Sequence, residues 1–120
     1  KTGRYIELDP HISKDDLKKT VADADCVYTD TWVDMEFFIN PEYKEKKEAI
    51  IKMMMPYQID ADLMAGTDTL VFHDMPVHPG YEITGEVLEQ HLDTILDEAE
   101  NRRHAEKGLL VYLLTGKLDW

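Results

Sequence analysis

Three short polar segments hold most of the side chains in this sequence that could do chemistry. They run from Asp30 to Met35, from Asp74 to Gly80 and from Asp97 to Arg102. Together they supply several carboxylates and an arginine that could face them. Carboxylates suit ammonium groups, and a guanidinium suits an oxygen that gains negative charge during a reaction. The segments therefore indicate a site for an amine and a developing oxyanion.

Each polar segment follows a short apolar run that predicts a buried strand. The runs are Cys26–Thr29, Leu70–His73 and Thr94–Leu96. Ligands of open α/β sheets bind at the carboxyl ends of parallel strands. We therefore expect the three segments, and with them Asp30, Asp74 and Arg102, to meet at one edge of one parallel sheet.

Helical patterns alternate with these strands, which predicts one α/β domain over residues 1–120, with a parallel sheet and helices on both faces. Ser13, Asp60 and Thr84 are expected to cap helices. The remaining predicted elements are a weak strand Arg4–Leu8, a loop Asp30–Pro41, a helix Glu42–Met55 with Ala49, Ile50, Met53 and Met54 inward, and a closing helix Ala99–Leu114. Met53 to Met55 are interpreted as core packing, and Cys26 as a buried small hydrophobe.

The composition excludes several classes of partner. The 120 residues carry a formal net charge of -12, which disfavours binding to nucleic acid and to anionic membranes. Cys26 is the only cysteine, which fits a reducing compartment, and we expect a cytoplasmic protein. No apolar run approaches a membrane span, and the start has no secretory pattern. Lys1 stands where an initiator Met would, so we expect a longer parent polypeptide.

Four motifs in register resemble ornithine carbamoyltransferases, over the chain from about Asp23 onward. The segment from Tyr28 to Met35 resembles the family's T-D-x-W-x-S-M-G run, and Pro56 to Ile59 resembles its Y-Q-V segment. His73 to Pro76 resembles its H-C-L-P loop, and Asp97 to Arg102 matches D-E-A-E-N-R without change. The final helix, with Gly108 to Leu113, is similar as well.

This resemblance implies the amino-acid-binding, C-terminal part of a carbamoyltransferase, a Rossmann-like second domain that is incomplete on its N-terminal side. Such enzymes transfer the carbamoyl group of carbamoyl phosphate to a primary amine such as ornithine. The resemblance further implies a homo-oligomer, a trimer, and no cofactor or metal.

The resemblance also assigns roles to individual residues. Asp30 would bind the α-ammonium of the substrate, and Asp34 and Met35 the rest of the amino acid. Asp74 and Met75 would lie beside the reacting carbonyl. Arg102 would bind the carbamoyl phosphate or the oxyanion. His73 is a further substrate-binding candidate, with a structural hydrogen bond as its alternative.

Three departures from the family pattern add negative charge. Asp34 stands at a family serine, Asp74 at a family cysteine and Glu36 at a family glycine. These acids favour an alternative acceptor, a diamine of the putrescine type. Asp74 could also serve as the base that takes the proton of the attacking amine.

Other interpretations stay open at this point. The family's S-x-T-R-T and H-P-x-Q segments, which bind carbamoyl phosphate, do not occur here. We therefore expect the chain alone to be inactive, either as one half of an enzyme or as a non-catalytic remnant.

Interpretations of another class concern the fold or single residues. A receiver-type signalling module has a similar size, but it needs a lysine after a third strand, and no lysine directly follows the predicted strand Thr94–Leu96. A metal site on His73, Asp74 and His78 lacks a complete ligand set. Asp30, Asp34 and Arg102 could instead be a turn cap, a solvated loop residue and a surface partner of Glu98.

Overall fold

The computed structural model describes residues 11–117 as two parallel strands and six α-helices. The predicted strand Arg4–Leu8 lies outside this range. In chain order the elements are α1 (Lys14–Asp23), β1 (Cys26–Thr29), α2 (Glu36–Ile39), α3 (Lys44–Met54), α4 (Ala61–Met64), β2 (Leu70–His73), α5 (Gly85–Gln90) and α6 (Leu92–Thr115). Short 3-10 turns at Pro41–Tyr43 and Met55–Tyr57 flank α3.

The two strands form a parallel pair, so both point toward the same edge of the sheet. Cys26 pairs with Leu70 at the start of the register, and Thr29 pairs with His73 at its end. Both strands were predicted at these bounds, and the α/β class is confirmed. The carboxyl ends of β1 and β2 therefore bring the polar segments that follow them side by side.

Three helices begin at side-chain caps, as predicted. The hydroxyl of Ser13 accepts a hydrogen bond from the amide of Asp16 at 3.2 Å. A carboxylate oxygen of Asp60 accepts from the Leu63 amide at 2.7 Å, and Thr84 caps α5 in the same way. Each cap satisfies an amide that has no partner within its helix.

The predicted third strand is wrong, because Thr94–Leu96 lies inside the 24-residue helix α6. Leu92, Ile95, Leu96 and Ala99 follow helical spacing, and Ile95 from this stripe is fully buried. Helix α6 packs against β2 instead of adding a strand beside it. The D-E-A-E-N-R segment is therefore helical and does not follow a strand.

The core lies between α1, α4, β2, α5 and the first turns of α6. Thr69 joins two of these layers, since its hydroxyl donates to the backbone oxygens of Val21 at 2.8 Å and Ala24 at 3.1 Å. The buried aliphatic side chains that contact one another here include Leu17, Val21, Ile59, Leu63, Val71, Ile83, Val87 and Ile95.

Several side chains predicted to be buried are exposed in this chain. Cys26 is exposed on β1, and Ala49 is exposed on α3. Met53 is 64% exposed and Met55 41%, so they are not core residues here. Ile50 and Met54 are half-buried. Helix α3 starts two residues later than predicted, and α2 occupies part of the predicted loop.

None of the helices within residues 11–117 combines the length and the apolar character that crossing a membrane requires.

Candidate functional site

Asp30 and Asp74 form the centre of the candidate site. Each residue directly follows a strand, Asp30 after β1 and Asp74 after β2, and Thr29 and His73 before them are paired in the sheet. One carboxylate oxygen of Asp30 accepts from the backbone amide of Thr31 at 2.6 Å and from its hydroxyl at 3.2 Å. The structure thus brings together two of the three residues expected at this edge.

The two carboxyl groups interact directly, and their pKa values move apart. Partial burial is the largest influence on Asp30 and opposes its ionisation, but hydrogen bonds from Thr31 and from the Asp74 carboxyl outweigh it and lower the pKa of Asp30. Partial burial also raises the pKa of Asp74, and the hydrogen bond to Asp30 and the negative charge of Asp30 raise it further. Asp30 is therefore the anion of the pair, and Asp74 is the member that holds a proton more readily.

Glu98 of α6 is a third acid at this site, and the sequence analysis named it only as an alternative partner of Arg102. The hydroxyl of Tyr28 donates to Glu98 Oε1 at 3.3 Å, which ties α6 to β1. Burial, followed by the charges of Glu98 and Asp74, raises the pKa of the Tyr28 hydroxyl. Among residues 11–117, Asp74 Oδ1 and Glu98 Oε2 are buried oxygens without a hydrogen-bond donor. A protonated amine is the type of group that such oxygens accept.

His73 lies beneath the loop that begins at Asp74. Its side chain is 0% exposed, its Nε2 lies 3.2 Å from Glu82 Oε1, and its Nδ1 accepts from the Met75 amide at 2.9 Å. The imidazole is therefore the tautomer that carries its proton on Nε2 and donates to Glu82. Because both ring nitrogens already bind the protein, the structure favours the alternative of a structural hydrogen bond over direct contact with a substrate. The structure supports a positioning role for His73.

The loop after β2 is held from two sides. Gln58 Nε2 donates to the backbone oxygens of Gly80 at 2.9 Å and Tyr81 at 2.7 Å. The Ile59 amide donates to Glu82 O at 2.9 Å. The conformation of the loop is unusual at Met75, which has a φ of 54° and precedes a cis peptide bond to Pro76. This φ is uncommon for a non-glycine residue, and the hydrogen bond from the Met75 amide to His73 Nδ1 holds the backbone at this point.

Asp34 and Met35 lead into α2, and both are exposed. The carbonyl oxygen of Asp34 accepts from the Phe37 amide at 3.0 Å, and that of Met35 accepts from the Phe38 amide at 3.0 Å. Their side chains are thus available to a ligand. Met75, in contrast, is half-buried and packs against the core.

Arg102 does not lie where the sequence analysis expected it. It stands on α6 one turn beyond Glu98, about 6 Å along the helix axis. Its side chain is 64% exposed, and its Nε donates to Glu106 Oε1 at 3.3 Å. The expected position at a strand end is wrong because the preceding residues are helical. Arg102 pairs with Glu106, and the suggested bridge to Glu98 is not the contact that forms.

The arrangement can bind a cation and accept a proton. Asp30 offers a carboxylate that stays ionised, Asp74 can exchange a proton, and Glu98 adds negative charge beside them. No group of three or more His, Cys, Asp or Glu side chains in the described part of the chain is arranged to hold a metal ion.

Comparison with known sequences gives a consistent family. Residues 2–113 match the family model described as "Aspartate/ornithine carbamoyltransferase, Asp/Orn binding domain". The ornithine carbamoyltransferase of a Nitratiruptor species is 45% identical over 114 residues, which cover 93% of this chain and 33% of that protein. The ornithine carbamoyltransferase of Bifidobacterium longum subsp. infantis is 45% identical over 105 residues, or 85% of this chain and 30% of that protein. The chain thus spans about a third of the length of these relatives.

Solved structures agree with this assignment. The anabolic ornithine carbamoyltransferase of Campylobacter jejuni matches with a TM-score of 0.69 and 34% identity, covering 84% of this chain and 32% of that one. The ornithine carbamoyltransferase of Pyrococcus furiosus matches with a TM-score of 0.63 and 36% identity, covering 80% and 29%. The chain therefore belongs to the aspartate/ornithine carbamoyltransferase family and corresponds to its Asp/Orn-binding domain.

Proposed function

We propose that this chain is the amine-binding half of an ornithine-type carbamoyltransferase. The observation that carries the proposal is the Asp30–Asp74 carboxyl pair at the ends of two parallel strands, in a chain of this family. The partner that completes the enzyme would be a carbamoyl-phosphate-binding domain, which fits the finding that this chain covers only 33% of the Nitratiruptor relative. We further propose that the complete protein is cytoplasmic and forms a homo-oligomer, a trimer. In this trimer the amine-binding half and the carbamoyl-phosphate-binding half would meet.

In the proposed reaction, the nitrogen of the acceptor amine attacks the carbonyl carbon of carbamoyl phosphate. A carbon–nitrogen bond forms, the carbon–oxygen bond to phosphate breaks, and inorganic phosphate leaves. The amine must lose a proton, and Asp74 would take it once the Asp74 carboxyl is ionised. Asp30 would hold the ammonium of the acceptor. Arg102 would face the developing oxyanion, which requires its guanidinium to leave Glu106.

The acceptor is either ornithine or a diamine, and the acids of the site favour the diamine. A serine at position 34 could donate a hydrogen bond to the carboxylate of an amino acid, whereas an ionised Asp34 repels it. Two like charges about 4 Å apart interact by about 4 kcal/mol at an effective dielectric near 20, compared with about 1 kcal/mol for a neutral hydrogen bond. Asp74 and Glu98 add negative potential, which also attracts a dication.

A panel of acceptors tests both the transfer activity and the identity of the acceptor. It uses the protein that carries this chain together with its carbamoyl-phosphate half. Ornithine, N-acylated ornithine, putrescine and agmatine are compared for the wild type and for Asp34→Ser. We expect putrescine or agmatine to have the highest kcat/KM, and Asp34→Ser to shift the ranking toward ornithine. Ornithine as the best substrate, with an unchanged ranking in Asp34→Ser, would refute the diamine alternative. Absence of transfer to every amine would refute the enzyme and favour a non-catalytic remnant.

The chain on its own should form no carbamoylated product above the uncatalysed rate. Positioning of the two reactants supplies a large part of the acceleration of such reactions, and this half offers few groups for a phosphate dianion. Addition of a separately expressed carbamoyl-phosphate half is the matching positive control. Turnover by the chain alone would contradict the division into halves.

A further inference from the structure

A pair of stacked rings connects the two loops of the candidate site. Phe38 of α2 lies against His78 of the loop after β2, with ring centroids 4.6 Å apart and an angle of 17° between the planes. Tyr81 flanks both rings, at 5.9 Å from Phe38 and 6.4 Å from His78. These contacts join segments that are distant in sequence, so they fix how one loop sits against the other.

Phe38 is held by a charge as well. The ammonium nitrogen of Lys47, on α3, lies 4.7 Å from the centroid of the Phe38 ring. A cation over an aromatic face is attracted by the negative potential of the ring. The Phe38 ring therefore contacts α3 and the loop after β2 together.

His78 provides a firm surface for this stack because its backbone is anchored to a buried acid. The His78 amide donates to Glu82 Oε1, the same oxygen to which His73 Nε2 donates. The Glu82 side chain is 1% exposed and the His78 side chain 18%. The contacts thus run without a break from Phe38 through His78 and Glu82 to His73 at the end of β2.

Helix α2 needs such an external contact. It has four residues, and a helix of this length is not stable by itself in water. No residue of α2 is buried. Its amides at Phe37 and Phe38 bind the carbonyl oxygens of Asp34 and Met35. Where Phe38 is fixed, the backbone of Asp34 and Met35 is fixed with it.

We propose that the Phe38–His78 stack is a clasp that positions the Asp34–Met35 segment against the Asp74 loop. Phe38 is then a positioning residue of the amine site, one that touches no substrate and sets where Asp34 and Met35 stand. The claim that Phe38 affects acceptor binding rests on the proposed function. The claim that the stack holds the two loops together does not.

Phe37 supplies a matched control. It is the neighbouring residue on the same short helix, but its ring stacks on Tyr43 at 4.9 Å and lies under Lys46 at 5.1 Å. Phe37→Leu and Phe38→Leu therefore remove the same ring from the same element. Phe38→Tyr keeps a ring that can still stack and serves as the conservative rescue.

The first experiment uses the 120-residue chain and needs no activity. Backbone hydrogen exchange and the His78 ring proton shifts are measured by NMR for the three variants. We expect Phe38→Leu to shift the His78 ring protons and to speed exchange at residues 37 and 38 by about tenfold, the upper end of what one aromatic pair provides. Phe38→Tyr should resemble the wild type. Equal effects of Phe37→Leu and Phe38→Leu, or no change in either, would overturn the clasp.

The second experiment uses the protein that carries this chain with its carbamoyl-phosphate half. Phe38→Leu should raise the KM of the preferred amine by about tenfold and leave the KM of carbamoyl phosphate unchanged. Phe37→Leu should change neither, and Phe38→Tyr should restore the amine KM. An unchanged amine KM in Phe38→Leu would overturn the role at the acceptor site. If the wild type transfers no carbamoyl group, the proposed function fails, and the exchange data decide the clasp by themselves.

Discussion

Asp30 and Asp74 lie side by side at the ends of β1 and β2, and the interaction between their carboxyl groups helps to lower the pKa of Asp30 and to raise the pKa of Asp74. The parallel register sets the pair, because Thr29 and His73, which precede the two acids, are partners in the sheet. The site thus has one carboxyl group that ionises more readily beside one that holds its proton more readily.

The raised pKa of Asp74 predicts a pH-dependent effect of Asp74→Asn. Because the folded chain binds this proton more tightly than the unfolded chain, Asp74 lowers stability as pH rises from the ordinary value of 3.8 through the raised pKa. Asp74→Asn should therefore increase the free energy of unfolding near neutral pH, with a gain that shrinks toward pH 3.8. Urea titrations at both pH values measure it.

Asp68→Asn is the matched control for charge. Asp68 is exposed and precedes β2, so the substitution removes one negative charge at the opposite end of the strand that Asp74 follows. A gain from Asp68→Asn as large as that from Asp74→Asn would mean that net charge, and not the carboxyl pair, causes the effect.

Arg102 should matter for transfer but not for folding. Its pair with Glu106 is exposed, and exposed pairs at this helical spacing contribute about 0.3–0.5 kcal/mol. Arg102→Ala should change the thermal midpoint of the chain very little. In the complete protein it should lower kcat by about 10²–10³-fold if the guanidinium stabilises the oxyanion.

Arg103→Ala tests whether this effect is specific. Arg103 is also exposed and pairs with Glu100 at 2.6 Å, so the two variants lose similar surface contacts. Equal activities of Arg102→Ala and Arg103→Ala would remove Arg102 from the catalytic groups.

Glu82 should be among the costliest side chains to remove. Truncation to alanine leaves the Nε2 proton of His73 and the amide of His78 without their acceptor inside the protein. Each buried donor left unpaired costs about 1–3 kcal/mol. Glu82→Ala should therefore lower the free energy of unfolding by about 2–6 kcal/mol, as seen in urea titration, and Glu82→Gln by less because it keeps one acceptor oxygen.

Glu89→Ala on α5 removes an exposed acid of the same type and should have a small effect. A loss for Glu82→Ala no greater than that for Glu89→Ala would show that the buried network contributes nothing to stability.

The last turns of α6 predict self-association of the isolated chain. Leu109, Leu110, Leu113 and Leu114 share one side of the helix and are between 58% and 84% exposed. Light scattering should show association that increases with concentration. The pair Leu110→Lys and Leu113→Lys should reduce it. The pair Asn101→Lys and His104→Lys adds lysines on the polar half of the helix and should not, and equal effects of both pairs would contradict a role for the leucines.

The helix caps and the central acid pair of the site could be predicted from residue type and order. Ser13, Asp60 and Thr84 were recognised as caps because each precedes a helical pattern at the spacing that its side chain requires. Asp30 and Asp74 were placed together because two β-prone runs end just before them. Local signals of this type act over a few residues, which is the range that a single sequence reveals.

The errors arose where local and longer patterns compete. Thr94–Leu96 is β-prone by composition, but Leu92, Ile95, Leu96 and Ala99 keep the spacing of one helix face. The helical spacing determines the structure of this segment, because the helix buries Ile95 against the core. The same spacing places Glu98 near the buried face of α6. The resemblance to the Y-Q-V segment covers Gln58, but it does not reveal the role of this side chain, since its partners are backbone oxygens of a distant loop.

The parallel pairing of β1 with β2 affects the order in which the parts of the chain fold. Helix α6 is built from contacts between near neighbours, whereas β1 can meet β2 only after the long segment between them has closed into a loop. Closure of such a loop costs chain entropy, and non-local pairing is slow for this reason. A partly folded chain can thus hold most of its helical content while Asp30 and Asp74 are still far apart. Helicity and the Asp30–Asp74 pair should accordingly appear on different time scales.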